Sequence, residues 1–131
     1  ACKDLGIDYK CVFSSEIDTK TASSYELNFG DNPLNDIRKI KNFKHFELLL
    51  AGFPCQSFSY AGKHKGFADK RGTLFFEIER ILKQNKPKYL LLENVRGLIS
   101  HDSGRTYQTI EETLQELGYS NLVLLLSQVN H

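Results

Sequence analysis

Cys55 and Glu93 each follow an apolar run that reads as a buried strand. Leu48-Leu49-Leu50-Ala51-Gly52 leads into Phe53-Pro54-Cys55-Gln56-Ser57-Phe58-Ser59, and Tyr89-Leu90-Leu91-Leu92 ends on Glu93-Asn94-Val95. The thiolate is the nucleophilic form of cysteine, so such a site must favour the anion through backbone N–H groups, nearby cations or a helix terminus. Pro54 stiffens the approach to Cys55, and Gly52 lets another molecule come close to the backbone. A carboxylate closing an apolar strand is expected to be partly desolvated, which favours its protonated form and equips it as a proton donor. A thiol and an acid at two strand ends suit covalent attack on an electron-poor ring. Taken singly, each has a plainer explanation: a structural cysteine at a strand end, and a helix cap or loop salt bridge.

Other candidates surround this pair. Glu16 ends an earlier apolar run, where nucleotide-binding sheets place an acid that accepts hydrogen bonds from ribose hydroxyls. Acids at strand ends are common, and Asn35-Asp36 also reads as a turn. The loop 56–72 mixes Ser57, Ser59, Lys63, His64, Lys65, Lys70 and Arg71 with Phe58, Tyr60, Phe67 and three glycines. That mixture suits a mobile lid gripping a phosphate backbone, or a solvated surface loop. His45, His101 and His131 lack metal-ligand spacing, and no metal is implied.

The elements that must position these residues are legible in outline. Residues 11–17 read as a buried strand ending at Glu16-Ile17-Asp18, and 19–28 as a helix. Asp36-Ile37-Arg38 falls in a short element, and 47–52 form the next buried strand. Leu74, Phe75, Ile78, Ile81 and Leu82 make a helical stripe over 73–84. Lys86-Pro87-Lys88 ends that helix, strand 88–93 follows, and a helix near 106–117 stops at Gly118 before a last strand at 120–127. Continuous apolar strands alternating with helices predict a mostly parallel sheet covered on both faces, with ligands beyond the carboxyl ends of its strands. Glu16, Cys55 and Glu93 all fall at such ends.

The bulk numbers allow this and exclude little else. The 131 residues are 40% apolar and 25% charged with a net charge of +1, so any nucleic-acid surface must be a local patch. No run approaches the roughly 18 apolar residues of a membrane span. No signal segment opens the chain, and the three cysteines show no CxxC spacing, so a reducing, cytoplasmic setting is expected. Cys11, within Cys11-Val12-Phe13, reads as a small core residue.

Taken together, these residues resemble the DNA cytosine-5 methyltransferases of the bacterial restriction-modification type. Gly52 to Ser59 resembles that family's nucleophile motif, Glu93-Asn94-Val95 its second signature, and Arg71-Gly72-Thr73-Leu74-Phe75-Phe76 the motif opening the helix between them. The resemblance implies a Rossmann-like methyltransferase fold of the α/β class, with Cys55 adding to C6 of a flipped cytosine and Glu93 holding the ring at N3. It implies S-adenosylmethionine as cofactor, with Glu16 at the ribose, Asp36 at the adenine, Ile17 and Ile37 packing on the adenine, and Gly52, Pro54 and Leu74 lining the pocket. Gln56, Ser57, Ser59, Lys63, Lys65 and Arg71 would face double-stranded DNA, and Asn94 would orient Glu93 or the loop around Pro54.

The chain departs from that family at both ends. The Phe-x-Gly-x-Gly loop after the first strand is not found, and the sequence stops before the Gln-x-Arg-x-Arg segment and the variable region that reads DNA. Residues 1–131 are therefore expected to be a partial catalytic domain without its first strand or target-recognition domain, whose partner is the rest of the methyltransferase chain. Three alternatives stay open: the related branch acting on transfer RNA, an inactive fragment or half of a split enzyme, and an unrelated cysteine hydrolase using His64.

Overall fold

The computed structural model describes residue 4, residues 6–54 and residues 74–120. They fall into two units, Ala1–Phe46 and Glu47–His131, each considered by itself.

In the first unit, helix α1 spans Thr19–Phe29. Asp18 caps its start by accepting from the Thr21 amide at 2.8 Å and the Thr21 hydroxyl at 2.9 Å, which satisfies donors that the first turn leaves without partners. Gly30, at φ 81°, ends it with an N–H bond to the Glu26 carbonyl. The strand expected over 11–17 is reduced to one parallel bridge between Glu16 and Leu34. The Glu16 amide donates to the Pro33 carbonyl at 2.9 Å, and the Asn35 amide donates to the Glu16 carbonyl at 3.0 Å. Nor is that run buried: Val12 and Phe13 are exposed, as is Cys11, which was expected in the core. The physical reason is that a strand is buried by its neighbours. Here the described residues give this segment one bridge and an edge-on contact between Phe13 and Phe43 at 5.2 Å.

The second unit is a strand–helix–strand–helix sequence. Strands β1 (Leu48–Gly52) and β2 (Tyr89–Glu93) pair in parallel from Leu48↔Tyr89 to Gly52↔Glu93. Helix α2 (Leu74–Asn85) connects them, and α3 (Arg105–Glu116) follows β2. The stripe read from the sequence faces inward: Phe75, Ile78, Ile81 and Leu82 are buried, whereas Leu74, at the first turn, is 37% exposed. Phe53, Phe75, Ile78, Leu82, Ile110 and Leu114 make the core, and Leu49, Ala51, Leu90 and Leu92 pack on it from one face of the strands. Burying a side chain the size of Phe75 contributes about 1.5–3 kcal/mol.

The other face of the pair differs from the expectation. Leu48, Leu50, Tyr89 and Leu91 are all exposed, so the apolar strands are covered on one side only among the described residues. Strand side chains alternate between faces, and both helices of this unit lie against the same one. Helix α2 ends at Lys86 (φ 46°), followed by Pro87, and α3 ends at Gly118 (φ 89°), as the sequence suggested. Two 3₁₀ turns, Arg96–Leu98 and His101–Gly104, fill the loop between β2 and α3. The strand expected at 120–127 lies, except for Ser120, outside the described residues.

Candidate active site

At the carboxyl ends of the two strands, the Asn94 side chain ties one signature segment to the other. Glu93 closes β2 opposite Gly52, the last pair of the ladder. By alternation, Glu93 continues the exposed row of Tyr89 and Leu91, and its side chain is exposed where partial desolvation was expected. Its Oε2 lies 3.2 Å from where a Cβ on Gly52 would stand. Asn94 points the opposite way, toward the core face. Its Nδ2 donates to the Phe53 carbonyl at 2.5 Å, while its Oδ1 accepts from the Val95 amide at 2.9 Å. The amide of Asn94 thus holds the backbone at Phe53, the residue before Pro54. Cys55 itself, and Gln56, Ser57, Ser59, Lys63, Lys65 and Arg71, lie outside the described residues.

Phe53 is 7% exposed and packs against Phe75, with ring centroids 5.6 Å apart and the rings tilted by 50°. The residue before the proline is therefore anchored in the core, while Pro54 is exposed at the surface. A hollow of about 450 Å³ opens beside Phe53, Leu92, Asn94, Ile110 and Leu114, but neither Gly52 nor Glu93 lines it.

The nucleotide candidates belong to the first unit. The Glu16–Leu34 bridge sets the segment carrying Glu16 and Ile17 alongside the one carrying Asp36 and Ile37. Asn35 reinforces it, accepting from the Ser15 hydroxyl at 2.6 Å and donating to the Ser14 and Pro33 carbonyls. Glu16 Oε1 accepts from the Asp18 amide at 2.9 Å, which leaves Oε2 without a partner among the described residues. Ile17 beside it is 63% exposed. A carboxylate acceptor next to a bare apolar side chain fits the ribose and base of a nucleoside. Asp36 is committed differently. It caps the short turn at Ile37–Lys39 and takes a two-pronged bond from Arg38, Nε to Oδ1 at 2.9 Å and Nη2 to Oδ2 at 2.8 Å. The Arg38 guanidinium, aided by its backbone amide, holds the Asp36 carboxyl down at about 2. Arg38 had no role in the sequence reading, although its Asp-x-Arg spacing was the available signal.

Among known proteins, a model of the family of C-5 cytosine-specific DNA methylases matches residues 2–129. The chain belongs to that family. Membership implies the S-adenosylmethionine-dependent methyltransferase fold, with which the parallel β1–α2–β2 unit is consistent as a part. The chain is 58% identical over 127 residues to type II methyltransferase M.BanI of Aneurinibacillus aneurinilyticus, a match covering 97% of this chain and 30% of that protein. M.HgiCI of Herpetosiphon aurantiacus gives the same identity and the same shares. M.HhaI of Haemophilus parahaemolyticus is 44% identical over 124 residues, covering 93% of this chain and 38% of the relative. The chain therefore spans about 30% of the length of the first two relatives. No described helix is long and apolar enough to cross a membrane.

Proposed function

We propose that this chain is part of an enzyme that methylates C5 of cytosine in double-stranded DNA, of the restriction-modification kind, with Cys55 as nucleophile and Glu93 as its acid. The observation that carries this reading is the Gly52↔Glu93 pair: it ends both strands and opens both signature segments side by side, in a chain whose family match runs almost end to end. The relatives are named type II methyltransferases, which favours DNA over transfer RNA as substrate. Activity is assigned to a polypeptide that contains this chain, since the match covers only 30% of the first relatives.

The target base must first leave the stack, because C5 and C6 of a paired cytosine are out of reach. The Cys55 thiolate then forms a bond to C6, and the displaced electron pair moves to C5. A hydrogen bond or proton from Glu93 to N3 draws charge into the ring and lowers the cost of that addition. S-adenosylmethionine supplies the electrophilic methyl group when bound. Glu16, Ile17, Asp36 and Ile37 would hold its nucleoside, and Gly52, Pro54 and Leu74 would line the rest. Loss of the C5 proton and breakage of the bond from sulfur to C6 restore the aromatic ring and release Cys55. Asn94 keeps the Phe53 carbonyl, and with it the approach to Cys55, in place. Gln56, Ser57, Ser59, Lys63, Lys65 and Arg71 would meet the DNA.

The test is Cys55→Ser in the complete polypeptide, followed by transfer of labelled methyl groups to DNA. Turnover should disappear while DNA binding stays within a few-fold. Wild-type protein should form a stable adduct with DNA carrying 5-fluorocytosine, which cannot release its C5 substituent, and the Ser variant should not. Near-normal turnover by the Ser variant would overturn the covalent reading.

A further inference from the structure

Gly52 occupies a position where nothing about the backbone demands glycine. Its φ is not among the positive values of the described glycines, and it sits inside a regular strand, where glycine has fewer contacts and more conformational freedom to lose than any other residue. What a side chain there would meet is specific. Among the described residues, an added Cβ has one neighbour within 4 Å, and that neighbour is Glu93 Oε2 at 3.2 Å. The carboxylate thus lies across the neighbouring strand and rests over a bare Cα. Two further constraints fix the backbones beneath it. The ladder pairs Gly52 with Glu93, and the Asn94 amide is bonded to the Phe53 carbonyl just beyond that pair, so the strands cannot slide to make room. A methyl group at position 52 is accommodated by the Glu93 side chain alone, which must give by a few tenths of an ångström.

We propose that Gly52 is a positioning residue for Glu93: its missing side chain is the seat that fixes where the carboxylate meets the base. This rests on the reading of Glu93 as the acid, and it differs from the cofactor-lining role that the family resemblance gives Gly52. The two roles separate in kinetics. A lining residue acts on the affinity for S-adenosylmethionine. A residue that places the acid acts on the chemical step, where a displacement of about 1 Å costs up to roughly 100-fold and a few tenths correspondingly less.

The experiment is Gly52→Ala in the complete polypeptide, with Glu93→Gln measured alongside. The expected result is a fall in kcat of about fivefold, a KM for S-adenosylmethionine within twofold of wild type, and an unchanged melting temperature. The same substitution in a Glu93→Asp background, where the carboxylate is one methylene shorter and clear of the added methyl, should cost less than twofold. That comparison is read in single turnovers so that a slow background still yields a rate. An unchanged kcat, a raised KM with kcat intact, a lowered melting temperature, or costs that multiply in the Glu93→Asp background would each overturn the positioning role. Near-normal turnover by Glu93→Gln would instead sink the underlying reading of Glu93, whatever Gly52→Ala does.

Discussion

Replacing Asn94 by aspartate should harm the protein more than replacing it by alanine, although aspartate is the closer match in shape. Asn94 donates to the Phe53 carbonyl at 2.5 Å through Nδ2 and accepts from the Val95 amide at 2.9 Å through Oδ1. Alanine removes both bonds. Val95 is 59% exposed, so water replaces its partner, whereas Phe53 is 7% exposed and its carbonyl is harder for water to reach. The loss is about 1–2 kcal/mol. Aspartate keeps the bond to Val95 but sets an anionic oxygen against the Phe53 carbonyl, at the spot where a donor stood. Repulsion and incomplete solvation raise the cost to about 2–4 kcal/mol. The sign of the pH dependence follows. Once protonated, the introduced carboxyl can donate to that carbonyl, so folding favours the acid form and the folded-state pKa lies above the unfolded value. The recovered stability is then fully present below the ordinary aspartate value of about 3.9 and is lost as the pH rises through the folded-state value. Urea unfolding of both variants at neutral pH and near pH 3.5 measures this. Aspartate equal to or better than alanine at neutral pH, or a gap between them that ignores pH, would refute the role given to the Phe53 bond.

Arg38→Ala should let the Asp36 carboxyl return from about 2 toward the ordinary aspartate range, followed by the titration of its carboxyl carbon in NMR. Because that pKa is depressed in the folded state, the pair contributes above about pH 4 and is lost as the pH falls toward 2; a titration still centred near 2 would show that Arg38 is not the cause. Phe75→Ala removes a ring that is 1% exposed and packed against Phe53, and should cost about 3–5 kcal/mol in urea unfolding. A loss below about 1 kcal/mol would mean that the core refills the space.

The helices were legible because their signals are local. A partial helical pattern marked α1 over 19–28, and Phe75, Ile78, Ile81 and Leu82 repeat at the helical period on α2, while the cap at Asp18 and the left-handed turn at Gly30 came only with the structure. The β1 and β2 strands were equally plain from their leucine runs. Which face of them is covered was not, because alternation assigns residues to faces without saying what lies against each. The same limit explains Cys11-Val12-Phe13, an apolar run that reads as buried and is exposed. Of the site, the residue types at 93 and 94 were readable, and a hold by Asn94 on the segment before Pro54 was one of the readings, whereas the exposure of Glu93 was not foreseen. The approach of Glu93 to Gly52 was not, since it depends on a distance that no spacing rule supplies, and the Arg38–Asp36 pair was missed although its spacing signalled it.

The bond from Asn94 to Phe53 joins residues 41 positions apart. Closing a flexible loop of that length costs about 3 kcal/mol beyond a constant term, and nothing repays it until α2 has folded and β2 has found β1. The cysteine segment and its proposed acid are therefore strangers for most of the folding process. Only the finished ladder brings Gly52 and Glu93 together, so the arrangement proposed for catalysis is a late product of folding rather than a property of either segment.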